Sequence, residues 1–423
     1  MSNMALDLLH LSSVIHRPLV DRDGERIGRI EDVVARLGGS SHPPVVGVVV
    51  RIEGRDLFVP IRKIASIEAG RSQFDGRKVD LRRFERRPGE LLLCADLLAR
   101  HFINFVRGRL ITANEIELAD VDGTWEVVGV DPGRRPLLRR LLGGRLGSKV
   151  STMSVVDFAQ IQPFVSHVPT ARLRIPYRRL AKLHPAQIAD LVEAASHEEG
   201  EEIIEAVGLD RELEADVFEE LDTEHQLEFI DQRSDDEAAR LLSRMAPDDA
   251  ADLISEVDQQ RRLPLLELLS EPQQRKVRNL LSYPAESAGG LMSPDFCTVE
   301  AAASVEDAVG AVRTAAAPIE SLNVVFVVDE HGHLVGTVPL AMLVRSRPSA
   351  RVADVMRADP PHVHPHWDVN RIARQMSDFN LVVVPVLDEE HAHVLGAVTV
   401  DDLLELLLPQ GWRREFGLAA AEE

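Results

Sequence analysis

Between Leu183 and Leu281 the apolar residues follow a beat of twelve. Blocks begin at Leu183, Ala195, Leu209, Leu221, Arg233, Met245, Val257 and Leu269, and only Val207-Gly208 interrupts the count. In seven blocks the ninth and tenth residues are both apolar: Leu191-Val192, Ile203-Ile204, Val217-Phe218, Phe229-Ile230, Leu241-Leu242, Leu253-Ile254 and Leu265-Leu266. The last block weakens to Val277-Arg278. The second residue is repeatedly a helix-start residue, at Ser196, Asp210, Asp222, Ser234, Asp258 and Ser270, able to accept from an orphan amide of the first turn. Ser196 with Glu199, Ser234 with Glu237 and Ser270 with Gln273 read as capping boxes. Pro185 and Pro247 stand one place past the cap, where no donor is lost. Twelve residues make about two helical turns and a corner, too little to be stable alone. The pattern therefore predicts a stacked, right-handed α-helical superhelix of 12-residue repeats over 181–284.

On either side the pattern turns to strands. Val45–Ile52, the turn Glu53-Gly54-Arg55 and Leu57–Pro60 read as a hairpin, as does Pro18–Gly28 around Asp23-Gly24. A weaker copy follows in Ile103–Leu110, Ile116–Ala119 and Trp125–Val130, the last two joined by Asp122-Gly123. The Val-Asp-x-Asp-Gly-x-x-Ile-Gly run at 20–28 and Phe58-Val59-Pro60 resemble a PRC-barrel, which implies a small β-barrel scaffold. The expected division is 6–88 for this domain, 89–146 for the second β segment and 147–180 for a linker. Beyond the array, about 60 residues occur twice. Val324–Asp329 corresponds to Val382–Asp388, and Leu334–Val338 to Val394–Val398. Each copy reads helix, strand, Asp-containing turn, strand, helix. This resembles a tandem pair of CBS domains, at 285–349 and 350–410, with a tail at 411–423. The fold class expected is multidomain α+β: N-terminal small β-barrels, a central helical superhelix and a C-terminal tandem α/β pair.

Charge narrows the function. The net charge of −21 argues against nucleic acid as a partner, because a phosphate backbone needs a basic footprint. Residues 183–282 hold 27 acids against 9 Lys and Arg, so the array carries most of the excess. Residues 132–182 reverse it, with 11 Lys and Arg and one acid, Asp157. Arg134, Arg135, Arg139 and Arg140 around Leu137-Leu138 and Leu141-Leu142 read as a short amphipathic helix. It serves either as a contact with an anionic membrane or partner, or as a basic linker docked on the acidic array. Cys94 and Cys297, far apart, suggest reduced thiols. No signal peptide or apolar run near ~20 residues is present. The expectation is a soluble cytoplasmic protein, peripheral at most to the inner face of the membrane.

Leu183–Leu191, Pro247–Leu253, and Leu281-Ser282-Tyr283-Pro284 followed by Ser287-Ala288-Gly289-Gly290-Leu291-Met292 resemble the cytosolic part of MgtE-type magnesium transporters over about 181–409. In that family the membrane domain follows, so the expectation here is a sensor without a channel. The resemblance implies magnesium sensing by carboxylates between the array and the CBS pair. Carried over, Asp248 and Asp252 are the array's metal-facing acids, at i and i+4 of one helix. Asp368 is an acid at the start of the second CBS copy, and Asp402 and Glu405 lie on the last helix. Asn370 and Asn380 stand where channel members carry acids, and Pro409-Gln410-Gly411-Trp412-Arg413-Arg414-Glu415 stands where the channels' connecting helix has several acids. Magnesium suits such sites because it takes oxygen ligands and keeps most of its waters.

CBS pairs also hold adenine nucleotides through Gly-x-Val-Thr-x-x-Asp. The second copy has it, Gly396–Asp402, with Thr399 and Asp402 as the ribose-holding pair for ATP or AMP. In the first copy Pro339 and Met342 replace them. His331-Gly332-His333 and His391-Ala392-His393 occupy the same turn in both copies, and His362, His364 and His366 alternate along a presumed strand. Alternation would suit a transition metal, while exposed turn histidines that bind nothing are the plainer reading. No Ser-His-Asp set, phosphate-cradling loop or buried acid pair points to an enzyme. Two functions follow: a magnesium-responsive regulator of a transport system with a membrane partner, or an adenine-nucleotide-binding CBS regulator or adaptor docking on an enzyme or membrane protein. In either case the CBS pairs are expected to form a homodimer.

Overall fold

The computed structural model describes residues 8–38, 40–76, 83–133, 155–165, 167–168, 175–390 and 392–408, without the Glu405 side chain. The amphipathic segment around Arg134–Arg140, His391 and the tail from Pro409 lie outside the described residues. The chain divides into two compact units, Met1–Asp210 and Arg211–Glu423.

In the first unit, β1 (Pro18–Val20), β2 (Arg26–Arg36), β3 (Val45–Ile52), β4 (Arg55–Pro60), β5 (Ile64–Glu68) and β6 (Arg71–Phe74) form a sheet in the order β4-β3-β2-β1-β6-β5. β7 (Glu90–Leu92) also pairs with β2. The tight turns behave as their sequences require. Glu53 and Gly54 both take positive φ (49° and 78°), as a two-residue hairpin demands. Asp21 Oδ1 accepts from the amides of Asp23 and Glu25, closing the turn before Gly24. Gly47 is a close-approach position, since a Cβ there would lie 2.6 Å from the Phe58 ring.

The second β segment supplies β8 (His101–Asn104), β9 (Arg109–Thr112), β10 (Glu115–Val121) and β11 (Thr124–Asp131), and β12 (Ile161–Pro163) follows. β8 runs between β9 and β12, while β10 pairs with β11 and with Leu9–His10 from the start of the chain. The two segments share one apolar core that includes Leu11, Val48, Val50, Phe102, Ile116, Phe158 and Val165. Sheets this small cannot each cover a face alone, so they cover one another. Buried acids stitch the unit together. Glu117 takes His10 Nδ1 at 2.7 Å, and Asp32 accepts from the amides of Val33, Cys94 and Ala95.

Eight helices follow the twelve-residue beat: α1 (Pro185–Ala194), α2 (His197–Val207), α3 (Arg211–Glu219), α4 (Thr223–Asp231), α5 (Asp235–Leu242), α6 (Pro247–Glu256), α7 (Gln259–Leu268) and α8 (Glu271–Leu280). The first two belong to the first unit, where α1 lies on β9 and Glu199 accepts from His101 at 3.0 Å. The other six belong to the second, and helices two apart pack on one another: α3 on α5, α4 on α6, α5 on α7, α6 on α8. Every one of the paired apolar residues is buried, and Val277 is buried where its neighbour Arg278 is not. Asp222, Ser234 and Asp258 cap as expected, with complete boxes at Ser196 and Ser234. The Ser270–Gln273 box does not form. Gln273 Nε2 instead donates to the Met245 carbonyl at 3.2 Å, a buried acceptor that the local pattern could not reveal.

The duplicated half comprises β13 (Thr298–Glu300), α9 (Val305–Thr314), β14 (Val324–Val328), β15 (Leu334–Pro339) and α10 (Leu340–Arg345), then α11 (Val369–Phe379), β16 (Val383–Leu387), β17 (Val394–Thr399) and α12 (Val400–Leu407). β13 pairs in parallel with β14, and Val363 alone repeats that bridge with Val386 in the second copy. Phe326, Val383 and Ala397 share one apolar cluster across the copies. Around the array's last corner, Ala288 and Gly289 donate to the carbonyls of Trp367 and Pro365, and Lys276 pairs with Asp295. His362, His364 and His366 are not on a strand. Only Val363 bridges, His362 and His364 face the carbonyls of Pro360 and Leu387, and His366 lies 6.0 Å from the Tyr283 ring. Asn380 closes α11 in the left-handed region, φ 50°, a conformation Asn tolerates better than most residues. Among the described residues no helix is long and apolar enough to cross a membrane.

Candidate functional site

The second unit gathers acids from four stretches of chain around the start of α6. Pro247 opens that helix, and its cap residue is Ala246, which has no side chain able to cap. Glu219, at the end of α3, takes the amide of this cap residue at 2.6 Å, the part an acid at the third helical position plays in a capping box. Asp248 is the second residue of this helix, with its Oδ1 buried and without a hydrogen-bond partner among the described residues. Asp402, Asp252 and Glu219 all act on Asp248 electrostatically, while Glu320, before β14, acts on both Glu219 and Asp402.

Burial and mutual repulsion hold these carboxyls well above their ordinary range. Desolvation, then the Asp402 charge, pushes Asp248 up to about 7. Desolvation likewise lifts Glu219 to about 7, assisted by Asp216, Glu220 and Glu320 and opposed by the Ala246 amide. Asp402 is raised for the same principal reason, against the lowering effect of the Thr399 amide. Such a cluster is costly when fully ionised and empty. It is relieved by protons or by a cation. All its donors are carboxylate oxygens, the set a hard divalent ion takes. Among the described residues no three His, Cys, Asp or Glu are arranged so that they could hold a metal ion directly.

The expected residues separate here. Asp248, Asp252 and Asp402 meet in one electrostatic cluster. Asp368 caps α11, accepting from the Arg371 amide at 3.1 Å, and is not among the charges acting most strongly on Asp248, Glu219 or Asp402. Glu405 lies on α12 with its side chain outside the described residues. Glu219 and Glu320 are additions from the structure. Glu219 could have been noticed as an acid at a helix C-terminus, where the dipole disfavours it. Thr399 and Asp402 form a reciprocal capping box at the start of α12. Asp402 Oδ2 accepts from the Thr399 amide at 2.9 Å, and Thr399 Oγ1 accepts from the Asp402 amide at 3.4 Å.

Sequence comparison places known modules on these units. The MgtE intracellular N domain matches residues 183–286, the CBS domain matches 288–348 and 352–409, and the PRC-barrel domain matches 7–81. The chain joins a PRC-barrel domain to an MgtE intracellular N domain and a CBS pair. The acid cluster therefore draws Glu219, Asp248 and Asp252 from the MgtE N domain, and Glu320 and Asp402 from the two CBS domains. The magnesium transporter MgtE of Thermus thermophilus is 38% identical over 128 residues, 30% of this chain and 28% of the transporter. That of Enterococcus faecalis is 31% identical over 145 residues, 34% of this chain and 32% of the transporter. The chain thus spans about a third or less of these relatives. Among solved structures, the cytosolic domain of the Mg2+ channel MgtE in complex with ATP is 30% identical, with a TM-score of 0.51, over 54% of this chain and 93% of that one. The soluble part of a magnesium transporter is 26% identical, with a TM-score of 0.50, over 54% and 90%.

Proposed function

We propose that the second unit is the magnesium-responsive regulatory part of a magnesium transport system. The observation that carries this reading is the raised, half-buried acid cluster at the start of α6, with an orphaned Asp248 oxygen at its centre. Glu219, Asp248, Asp252, Glu320 and Asp402 would hold the ion, directly or through its waters. Magnesium supplies the positive charge that draws the MgtE N domain and the CBS pair together, and its loss leaves their carboxylates to repel or to take up protons. The partner is a membrane transport protein at the cytoplasmic face, and two copies associate through their CBS pairs. Likeness to the cytosolic domain of the Mg2+ channel MgtE and to the soluble part of a magnesium transporter, each over 54% of the chain, supports this assignment. The test is small-angle scattering of the full chain during a magnesium titration. Compaction is expected, and Asp248→Ala with Asp252→Ala should abolish it. The same compaction in that variant would refute the placement.

A second reading is favoured by the Thr399–Asp402 pair and by the ATP complex of the MgtE relative: an adenine nucleotide held by the second CBS copy. Calorimetric titration separates the two. A silent magnesium titration beside a clear ATP response would sink the first reading and leave the second.

A further inference from the structure

The acid cluster lies in the second unit, whereas the positive charge of the chain gathers in the first stretch of sequence. Residues 1–182 hold 30 Lys and Arg against 21 acids, and residues 183–423 hold 18 against 48. Part of the basic excess stands at one end of the sheet formed by β9, β8 and β12, where Arg109, Asn104 and Ile161 are in register. The turn Phe105–Gly108 joins β8 to β9 there and is firmly braced. Asn104 Oδ1 accepts from the amides of Val106 and Arg107. Gly108 takes a positive φ of 57° and packs so closely on α1 that a Cβ would lie 2.7 Å from Gln187 Nε2. The Arg179 guanidinium lies 5.2 Å from the Phe105 ring centroid and donates to the Ala159 carbonyl at 2.7 Å.

What this turn presents is an apolar tip among uncompensated cations. Val106 is 69% exposed, and Arg107 beside it is exposed too. Arg109 is half-buried, and its Nε has no hydrogen-bond partner among the described residues. Burial, then the Arg107 charge, holds Arg109 below its ordinary range, and no acid is among the charges acting most strongly on it. Arg178 and Lys182, next to Arg179 in sequence, are exposed. Among the described residues none of these five cations makes an ion pair. Guanidinium forks match phosphate oxygens, and an exposed apolar side chain gains by entering the boundary between head groups and acyl chains. One projecting valine is far less than a specific protein interface buries, so an acidic protein is the poorer fit. We propose that the Phe105–Gly108 turn, with Arg107, Arg109 and the cations of 178–182, docks the first unit on an anionic lipid surface. Lipid phosphates are its ligands. The contact gives the membrane location in the proposed function a surface of its own, yet it rests on the first unit and needs no magnesium at α6.

The test is co-sedimentation of the full chain, in EDTA, with vesicles of equal parts phosphatidylglycerol and phosphatidylcholine and with vesicles of phosphatidylcholine alone. Binding to the first and not the second is expected, with release at high salt. Arg107→Gln and Lys182→Gln should each weaken it about fivefold. Val106→Ser should weaken it at every salt concentration. All three side chains are exposed, so these variants should melt with the parent. Asp248→Ala with Asp252→Ala should bind vesicles as the parent does, so loss of magnesium-driven compaction and loss of vesicle binding are separate failures. Equal binding by the parent and the Arg107, Lys182 and Val106 variants would overturn the proposal. So would release by millimolar inorganic phosphate at constant ionic strength, which marks a site for the free ion, or capture by polyglutamate without binding to either vesicle.

Discussion

Asp248 and Asp32 are two buried carboxyls with opposite purposes. Asp32 is raised to about 6 chiefly by desolvation, yet it is engaged by the backbone amides of Val33, Cys94 and Ala95, the last two in the Leu93–Leu97 turn. Its replacement by Ala strands those donors and should cost about 3 kcal/mol in urea unfolding. Asp248 has one oxygen with no such partner, so its ionisation is opposed by desolvation and by the Asp402 charge and eased only by its own backbone amide. The consequence for pH has a definite sign. A carboxyl whose folded value lies above its unfolded value binds more protons when folded, so stability falls as pH rises between the two. For Asp248 and Glu219 that window runs from about 4 to about 7. The metal-free chain should therefore melt several degrees lower at pH 8 than at pH 5.5, and magnesium should restore the difference at pH 8. Asp248→Asn, which keeps the shape and drops the charge, should raise the metal-free melting temperature at pH 8 and blunt the magnesium effect. A variant that melts like the parent with and without magnesium would show that Asp248 is not under strain.

The repeat helices show how a local pattern becomes an element. Two turns of helix are marginal in water, so each unit depends on its cap and on the apolar pair it buries. Phe218 is fully buried, lies edge-on to Phe229 at 5.9 Å and has the Arg233 guanidinium 4.8 Å above its ring. Phe218→Ala should cost about 3–5 kcal/mol by cavity formation and loss of that stack, measured by denaturant unfolding. The caps make a sharper comparison. Ser234→Ala removes an observed capping box and should cost about 1 kcal/mol, whereas Ser270→Ala, at a position without a side-chain cap bond, should cost only a few tenths. Equal losses at both sites would mean that the Met245 carbonyl does not hold Gln273 away from Ser270. Both serines look alike in the repeat, and the difference arises from the Met245 carbonyl, 28 residues from Gln273.

At the scale of the molecule, the acids proposed to respond to magnesium all lie in the second unit, while the N-terminal sheets close their own core in the first. Hydrogen exchange should therefore register magnesium as slower exchange at the amides that open α6 and α12, with β2, β3 and β4 unchanged. Slowing confined to the β strands would place the ion elsewhere. The periodicity of apolar pairs, the cap residues and the positive-φ turns were enough to mark eight helices, the paired hairpins and the duplicated half, because each rests on neighbours within a few residues. The same local signals named Asp248, Asp252 and Asp402 by resemblance. They could not bring in Glu219 and Glu320, exclude the Ser270 box, release His362, His364 and His366 from a strand, or set His333 against His393. Those outcomes depend on which surfaces meet across distant parts of the chain. Desolvation, carboxylate repulsion and the competition for a buried carbonyl exist only once packing has removed the water.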